Sequence, residues 1–221
     1  MTNRILIIAL VVAEALSLLQ LKSSLTSYAK YWQKQKQLSG QLTYVALGDS
    51  TAQGIGASQP NNGYVGLVAA RLAQQTGKTV RIVNLSVSGA KLADVLNTQI
   101  PQLKNYQPDY VTIEAGANDI VAFDAASFEK EFGQLVGALP AGTVVANMPN
   151  FGGRIKKTQE VATANKIITI QTKQANLPMA DLYHYTKTRE SLRNYAADFF
   201  HPSNRGYKNW ADAFWAVLKD V

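Results

Sequence analysis

The chain has 221 residues, no cysteine, two histidines and a formal net charge of +7. A length near 200 residues supports one domain that buries close to about 70% of its unfolded surface, so no disulfide or metal staple is required. The missing cysteines exclude a thiol nucleophile, a cysteine-linked lipid anchor and a thiolate zinc site. His184 and His201 are too few for a multi-histidine metal site, and any imidazole base must be one of these two.

The charge is unevenly placed. Residues 1–40 carry Arg4, Lys22, Lys30, Lys34 and Lys36 against Glu14, which is +4 of the total +7. The rest of the chain is an ordinary mixed surface without a basic run, so no nucleic-acid partner is expected.

The first predicted element is the apolar stretch ILIIALVVAEALSLLQL, Ile5 to Leu21. As a helix its 17 residues span about 25 Å, slightly short of a hydrocarbon core about 30 Å thick. Glu14 interrupts it at a cost of roughly 2.5–3.5 kcal/mol at a bilayer centre. Three readings stand. One is a signal peptide with Ala13 and Ala15 at the cleavage site. The second is an uncleaved membrane anchor followed by a polar stalk, Lys22 to Gly40, with Tyr31 and Trp32 as interface residues. The third is an amphipathic helix packed on the domain. The positive-inside rule taken literally places the domain of an uncleaved anchor in the cytoplasm, whereas the signal-like start points to an extracytoplasmic domain, anchored or secreted. The expected division is therefore 1–40 as leader or anchor with stalk, and 41–221 as the domain.

From Leu42 the chain alternates β-rich runs with helical patterns, which predicts βαβ units and a parallel sheet. The strand candidates are Leu42 to Leu47, Val80 to Leu85, Tyr110 to Ala115, Thr143 to Asn147 and a weaker one from Met179 to Leu182. Between them, Tyr64 to Gln75 places Val65, Val68, Ala69 and Leu72 on one helical face, and Phe128, Phe132, Leu135, Val136 and Leu139 repeat the pattern. Residues 161–174 and Asn204 to Lys219 supply two more helices. The expected architecture is a three-layer α/β/α sandwich around about five parallel strands with right-handed crossovers.

In such sheets ligands bind beyond the carboxyl ends of the strands. Three polar, glycine-containing segments fall there: Gly48-Asp49-Ser50-Thr51, Ser86-Val87-Ser88-Gly89 and Gly116-Ala117-Asn118-Asp119. Ser50 follows a buried strand and is expected at a tight turn opening a helix, where its hydroxyl meets substrate and its N–H points the same way. Near the C-terminus, Asp198-Phe199-Phe200-His201 spaces an acid so that it can fix the imidazole tautomer that leaves Nε2 free for the serine proton. Ser50, Asp198 and His201 then form a triad, with Ser50 N–H, Gly89 N–H and the Asn118 amide around a developing oxyanion. Each also has a plainer reading: Ser50 as a helix cap, Gly89 as a glycine that allows close backbone approach, Asn118 as a turn residue, and Asp198 and His201 capping the last helix or pairing on the surface. His184 has no acid placed to orient it. Asp49 and Asp119 are expected to hold their turns through backbone amides, and Trp210, Phe214 and Trp215 to be core. Gly54-Ile55-Gly56 fails both the dinucleotide and P-loop patterns and is expected to fold back beside the pocket, with Pro149 to Lys157 at its mouth.

Taken in order, Gly48-Asp49-Ser50, Gly89, Gly116-Ala117-Asn118-Asp119 and Asp198-Phe199-Phe200-His201 resemble the blocks of the SGNH hydrolases, the GDSL lipases and esterases. The closest likeness is to the lysophospholipase L1-like bacterial esterases. Asn84 to Ala90, Pro108 to Val111 and His201-Pro202 with Gly206-Tyr207 extend the resemblance over about residues 42–219. Thr51 departs from it, standing where the family often has leucine. The resemblance implies a flavodoxin-like fold and an ester hydrolase without cofactor or metal. Ser50 would be nucleophile and oxyanion donor, Gly89 and Asn118 the other donors, His201 the base and Asp198 its orienter. The substrates it implies are lipid, lysophospholipid or small acyl esters, with envelope polysaccharide acetyl esters or a non-catalytic binding domain as alternatives.

Overall fold

A computed structural model describes residues 19, 21–152 and 154–220. Most of the apolar stretch Ile5 to Leu21, with its signal-peptide and anchor readings, lies outside the described residues. Among these, no helix is long and apolar enough to cross a membrane.

The sheet has five parallel strands in the order β2-β1-β3-β4-β5: β1 Leu42–Gly48, β2 Val80–Asn84, β3 Tyr110–Glu114, β4 Val144–Ala146 and β5 Met179–Ala180. Each forms where a β-branched or aromatic run was expected. The last is the shortest because Asp181 caps the helix that follows, its carboxylate accepting from His184 N–H.

Side chains alternate across β1. Val45 and Leu47 enter one core with Phe128, Phe132 and Ile168, while Tyr44 and Ala46 enter another with Tyr64, Tyr207 and Phe214. This period of two divides the helices into two layers. One layer holds α1 (residues 21–35), α2 (Tyr64–Thr76) and α8 (Asn204–Leu218). The opposite layer holds α5 (Ala125–Ala138), α6 (Thr158–Gln174) and the helical run of α3 (Leu92–Asp94), a π turn (Val95–Gln99) and α4 (Ile100–Leu103). A short α7, Leu182–Thr188, leads back to α8. The run at 92–103 and α7 were not expected from the sequence: Pro101 and the π turn break one pattern, and α7 buries only Leu182.

The region expected to be a polar stalk differs most. α1 packs on the domain, with Trp32 only 1% exposed and Tyr28 8%. Trp32 Nε1–H donates to Gln53 O at 2.9 Å and Tyr28 O–H to Ala57 O at 2.7 Å. The physical reason is that two large amphipathic rings recover more free energy against a core, with their polar atoms bonded to a loop backbone, than in water. A domain boundary at residue 40 therefore cuts through a packed core. Trp32→Ala is expected to destabilise the fold by about 3–5 kcal/mol in urea denaturation. A chain starting at residue 41 should show a similar loss relative to one starting at residue 19.

Candidate active site

The site begins where the central strand stops. Gly48 adopts φ +139°, and a Cβ there would lie 2.2 Å from Glu114 O, so only glycine allows β1 and β3 to approach as they do. Past β2, Val87 N–H still donates to Gly48 O at 3.2 Å, and the buried side-chain amide of Gln99 engages both polar groups of Gly48. Gly48 N–H donates to Gln99 Oε1 at 2.9 Å, and Gln99 Nε2 donates to Gly48 O at 2.8 Å.

After Ser50 the chain forms successive turns, not the expected helix; a short 3-10 helix follows at Pro60–Asn62 and the next α-helix begins at Tyr64. Gly54 and Gly56, at φ +83° and +95°, bend it away from helical geometry. The fold-back expected of these glycines is present: a Cβ on Gly56 would lie 2.5 Å from Pro202 O and 2.8 Å from His201 Cβ. The loop that follows Ser50 thus lies directly on the loop that carries His201.

That second loop is a tight reversal in which Ala196 N–H donates to His201 O at 2.8 Å. At its tip Phe199 sits at φ +53°, a left-handed conformation costing about 1–3 kcal/mol for such a residue. The turn wraps backbone around a carboxylate: the Phe200 and His201 amides both donate to Asp198 Oδ1 at 3.0 Å. His201 Nδ1 lies 2.6 Å from Asp198 Oδ2, and His201 Nε2 lies 3.0 Å from Ser50 Oγ. Burial alone would raise the Asp198 carboxyl. The hydrogen bonds from His201 Nδ1 and the two amides outweigh it and hold the group below the usual carboxylate range. The acid therefore stays ionised behind the imidazole.

The structure places Ser50, His201 and Asp198 in one line of contacts and ties Asn118 to Asp49 and to Ala90, the residue after Gly89. Asn118 Nδ2 donates to Asp49 Oδ2 at 2.9 Å and to Ala90 O at 3.0 Å, which ties the third strand end to the first and second. Both amide hydrogens are thereby engaged. The backbone N–H groups of Ser50 and Gly89 make no hydrogen bond among the described residues. Gln53 completes the tie, donating to Ser86 O at 2.8 Å and accepting from Ser88 Oγ at 2.7 Å.

Asp198 and His201 do not cap the last helix: its cap is Ser203, whose Oγ accepts from Gly206 N–H, whereas Gly89 occupies a turn, at φ +80°. His184 is exposed on α7. Trp210 and Phe214 are core as expected, although Trp210 also borders the cavity beside Ser50. Asp49 and Asp119 hold their turns by accepting from Thr51 N–H at 2.9 Å and Leu92 N–H at 3.1 Å.

Glu114 was missed. It is 1% exposed at the end of β3, and Thr51 Oγ1 lies 2.6 Å from its Oε2. The available signal was a carboxylate ending a strand that reads Tyr-Val-Thr-Ile-Glu, otherwise built for burial. The cavity beside Ser50 has a volume of about 40 Å³, with Glu114, Asn194 and Trp210 among its walls and Phe151 and Phe200 stacked at 6.3 Å by its mouth.

The sequence profile of the GDSL-like Lipase/Acylhydrolase family matches residues 46–208. The chain belongs to this family of ester-hydrolysing enzymes. It is 28% identical over 193 residues to the GDSL-like esterase Rv1075c of Mycobacterium tuberculosis, covering 79% of this chain and 61% of that protein. The chain thus spans about three-fifths of that relative. Among solved structures, the lipase/acylhydrolase from Enterococcus faecalis superposes with a TM-score of 0.69 at 21% identity, covering 81% of this chain and 96% of that one. The acetylxylan esterase Axe2 from Geobacillus stearothermophilus gives 0.63 at 20% identity, covering 81% and 95%. At these identities the two structures establish the shared α/β fold.

Asp119 supplies a pH test of the third strand end. Burial pushes its carboxyl up to about 6, against the opposing hydrogen bond from Leu92 N–H. An unfolded aspartate titrates near about 3.9. Between about pH 4 and 6 the folded chain therefore binds more protons than the unfolded one, and this contribution to stability is lost as pH rises through that window. Asp119→Asn keeps an acceptor for Leu92 and should flatten the decline, measured by urea denaturation on either side of the window.

Proposed function

We propose that this protein is a serine ester hydrolase whose nucleophile is Ser50, whose base is His201 and whose orienting acid is Asp198. The observation that carries the reading is the continuous line Asp198 Oδ2, His201 Nδ1, His201 Nε2, Ser50 Oγ, with steps of 2.6 and 3.0 Å. Ser50 Oγ attacks the ester carbonyl carbon as its proton passes to His201 Nε2. The carbon–alkoxy bond breaks, and the same proton leaves on the departing alcohol. A water then attacks the acyl-enzyme, giving one proton to His201 and returning Ser50 Oγ–H as the carboxylic acid departs. Asp198 stabilises the transient imidazolium without taking its proton.

The uncommitted Ser50 and Gly89 amides serve the oxyanion. Asn118 joins them by exchanging its bond to Ala90 O for one to the charged oxygen. Each such donor is typically worth about 100- to 1000-fold in turnover. Within this class the small cavity favours small acyl groups, since one water-sized group needs roughly 10–15 Å³. The named activity of the acetylxylan esterase relative is compatible with that preference. A long acyl chain would have to lie over the rim, along exposed Phe199 and Phe200. An extracytoplasmic place, with Ile5 to Leu21 as leader or membrane anchor, completes the proposal and rests on the apolar sequence alone.

Ser50→Ala should abolish hydrolysis of p-nitrophenyl acetate and labelling by a fluorophosphonate probe, while the wild type shows both. Retention of either in the variant would overturn the assignment. Across a chain-length series, activity should fall steeply beyond short acyl groups. Sustained long-chain turnover would favour the lipid reading.

A further inference from the structure

The polar wall of the cavity poses a question of proton counting. Thr51 Oγ1 lies 2.9 Å from Asp49 Oδ1 and 2.6 Å from Glu114 Oε2. A hydroxyl has one hydrogen, so it donates in one contact and accepts in the other, and a carboxyl oxygen donates only when protonated. Asp49 Oδ1 already accepts Thr51 N–H, and Asp49 Oδ2 accepts Asn118 Nδ2–H. Glu114 Oε2 has Thr51 alone. The proton therefore belongs on Glu114: Oε2–H donates to Thr51 Oγ1, and Thr51 Oγ1–H donates to Asp49, which carries the charge. Burial acts in the same direction, pushing the Glu114 carboxyl well above the usual range, with the neighbouring Asp49 charge adding to it. Tyr64 from α2 and Tyr207 from α8 face this pair and are also shifted upward by burial, the Tyr64 hydroxyl having no hydrogen-bond partner among the described residues, while His201 faces Asp49 and favours its charged form.

Glu114 Oε1 is then a neutral carbonyl oxygen, and it is buried without a hydrogen-bond partner. Asn194 Oδ1 is in the same condition, while its Nδ2 is committed to Arg189 O at 2.7 Å. Both residues border the cavity that Ser50 also borders. Two acceptors out of water and without donors represent a desolvation cost that a ligand hydroxyl would relieve. An ammonium group would need a carboxylate opposite it, which the proton on Glu114 removes.

Resting on the serine hydrolase reading, we propose that Glu114 and Asn194 make this cavity a subsite for a small acyl group bearing a hydroxyl, such as a hydroxyacetyl group. The hydroxyl donates to Glu114 Oε1 or Asn194 Oδ1 while the acyl carbonyl sits at Ser50. Size limits the group to a few heavy atoms, and the neutral acceptors define its polarity.

The test compares kcat/KM for p-nitrophenyl hydroxyacetate and p-nitrophenyl acetate in each variant, with the ratio of their alkaline hydrolysis rates as the reference for intrinsic reactivity. One buried hydrogen bond is worth on the order of tenfold, so the wild-type ratio should exceed the reference by about that factor. Glu114→Gln should preserve the excess, because its amide nitrogen donates to Thr51 and its oxygen remains the acceptor. Glu114→Met and Asn194→Ala should each diminish it, and because the ratio is internal to each variant, a general loss of activity cancels. The protonation state has its own readout, an infrared carbonyl band of a neutral carboxyl at pH 7 that disappears in Glu114→Gln. A wild-type ratio at the reference, an excess untouched by Glu114→Met, a preferred glycyl ester or a missing carboxylic-acid band would each overturn the proposal. Should Glu114→Met fail to fold, the wild-type ratio and the infrared band decide. Acetate turnover that survives Ser50→Ala would instead refute the hydrolase reading beneath it.

Discussion

The end of the central strand is the constraint from which the site follows. β1 is flanked by two strands and covered on both faces, so its terminal backbone groups have no access to water and must be satisfied inside the protein. Gln99 does this for Gly48, accepting from its N–H and sharing its C=O with the Val87 N–H. Because that obligation is met laterally, the following residues are free to leave the sheet plane in turns. Ser50 is the second residue to benefit, emerging at the edge of the sheet with its own N–H uncommitted. The ties from Asn118 to Asp49 and Ala90, and from Gln53 to Ser86, then hold three strand ends at one point.

Much of this was legible in the chain. Strands β1, β3 and β4 were visible because each is a short β-rich run buried on both faces, and α2, α5, α6 and α8 because their apolar residues recur at helical spacing. The triad was legible for a different reason: with two histidines and no cysteine, few combinations of nucleophile and base exist. What stayed hidden depends on contacts distant in sequence. Gln99 reads as a surface glutamine until its strand partner is known, and it lies 51 residues from Gly48. Glu114 and Thr51 are 63 residues apart, and neither has meaning alone. The turns after Ser50 were mistaken for a helix start because the positive φ of two glycines depends on how closely the His201 loop approaches.

Two carboxyl groups near the site, one half-buried and one fully buried, end on opposite sides of the usual carboxylate range. Asp198 receives donors from an imidazole and two amides, enough to keep it charged despite the surrounding protein. Glu114 has one hydroxyl neighbour and a charged carboxylate beyond it, too little to pay the cost of ionisation in a dry setting. Number and kind of donors, not depth alone, separate an acid that orients a base from one that stays neutral.

The seating of α1 on the loop after Ser50 has a mechanical consequence. Trp32 and Tyr28 grip the backbone of Gln53 and Ala57, so the leading helix is fastened to the loop that carries Ser50. A helix of 15 residues is about 22 Å long and stiff on that scale. It acts as a buttress: a substitution that loosens its seat on the far side of the loop would be felt at Ser50, although no described residue of the helix touches the triad.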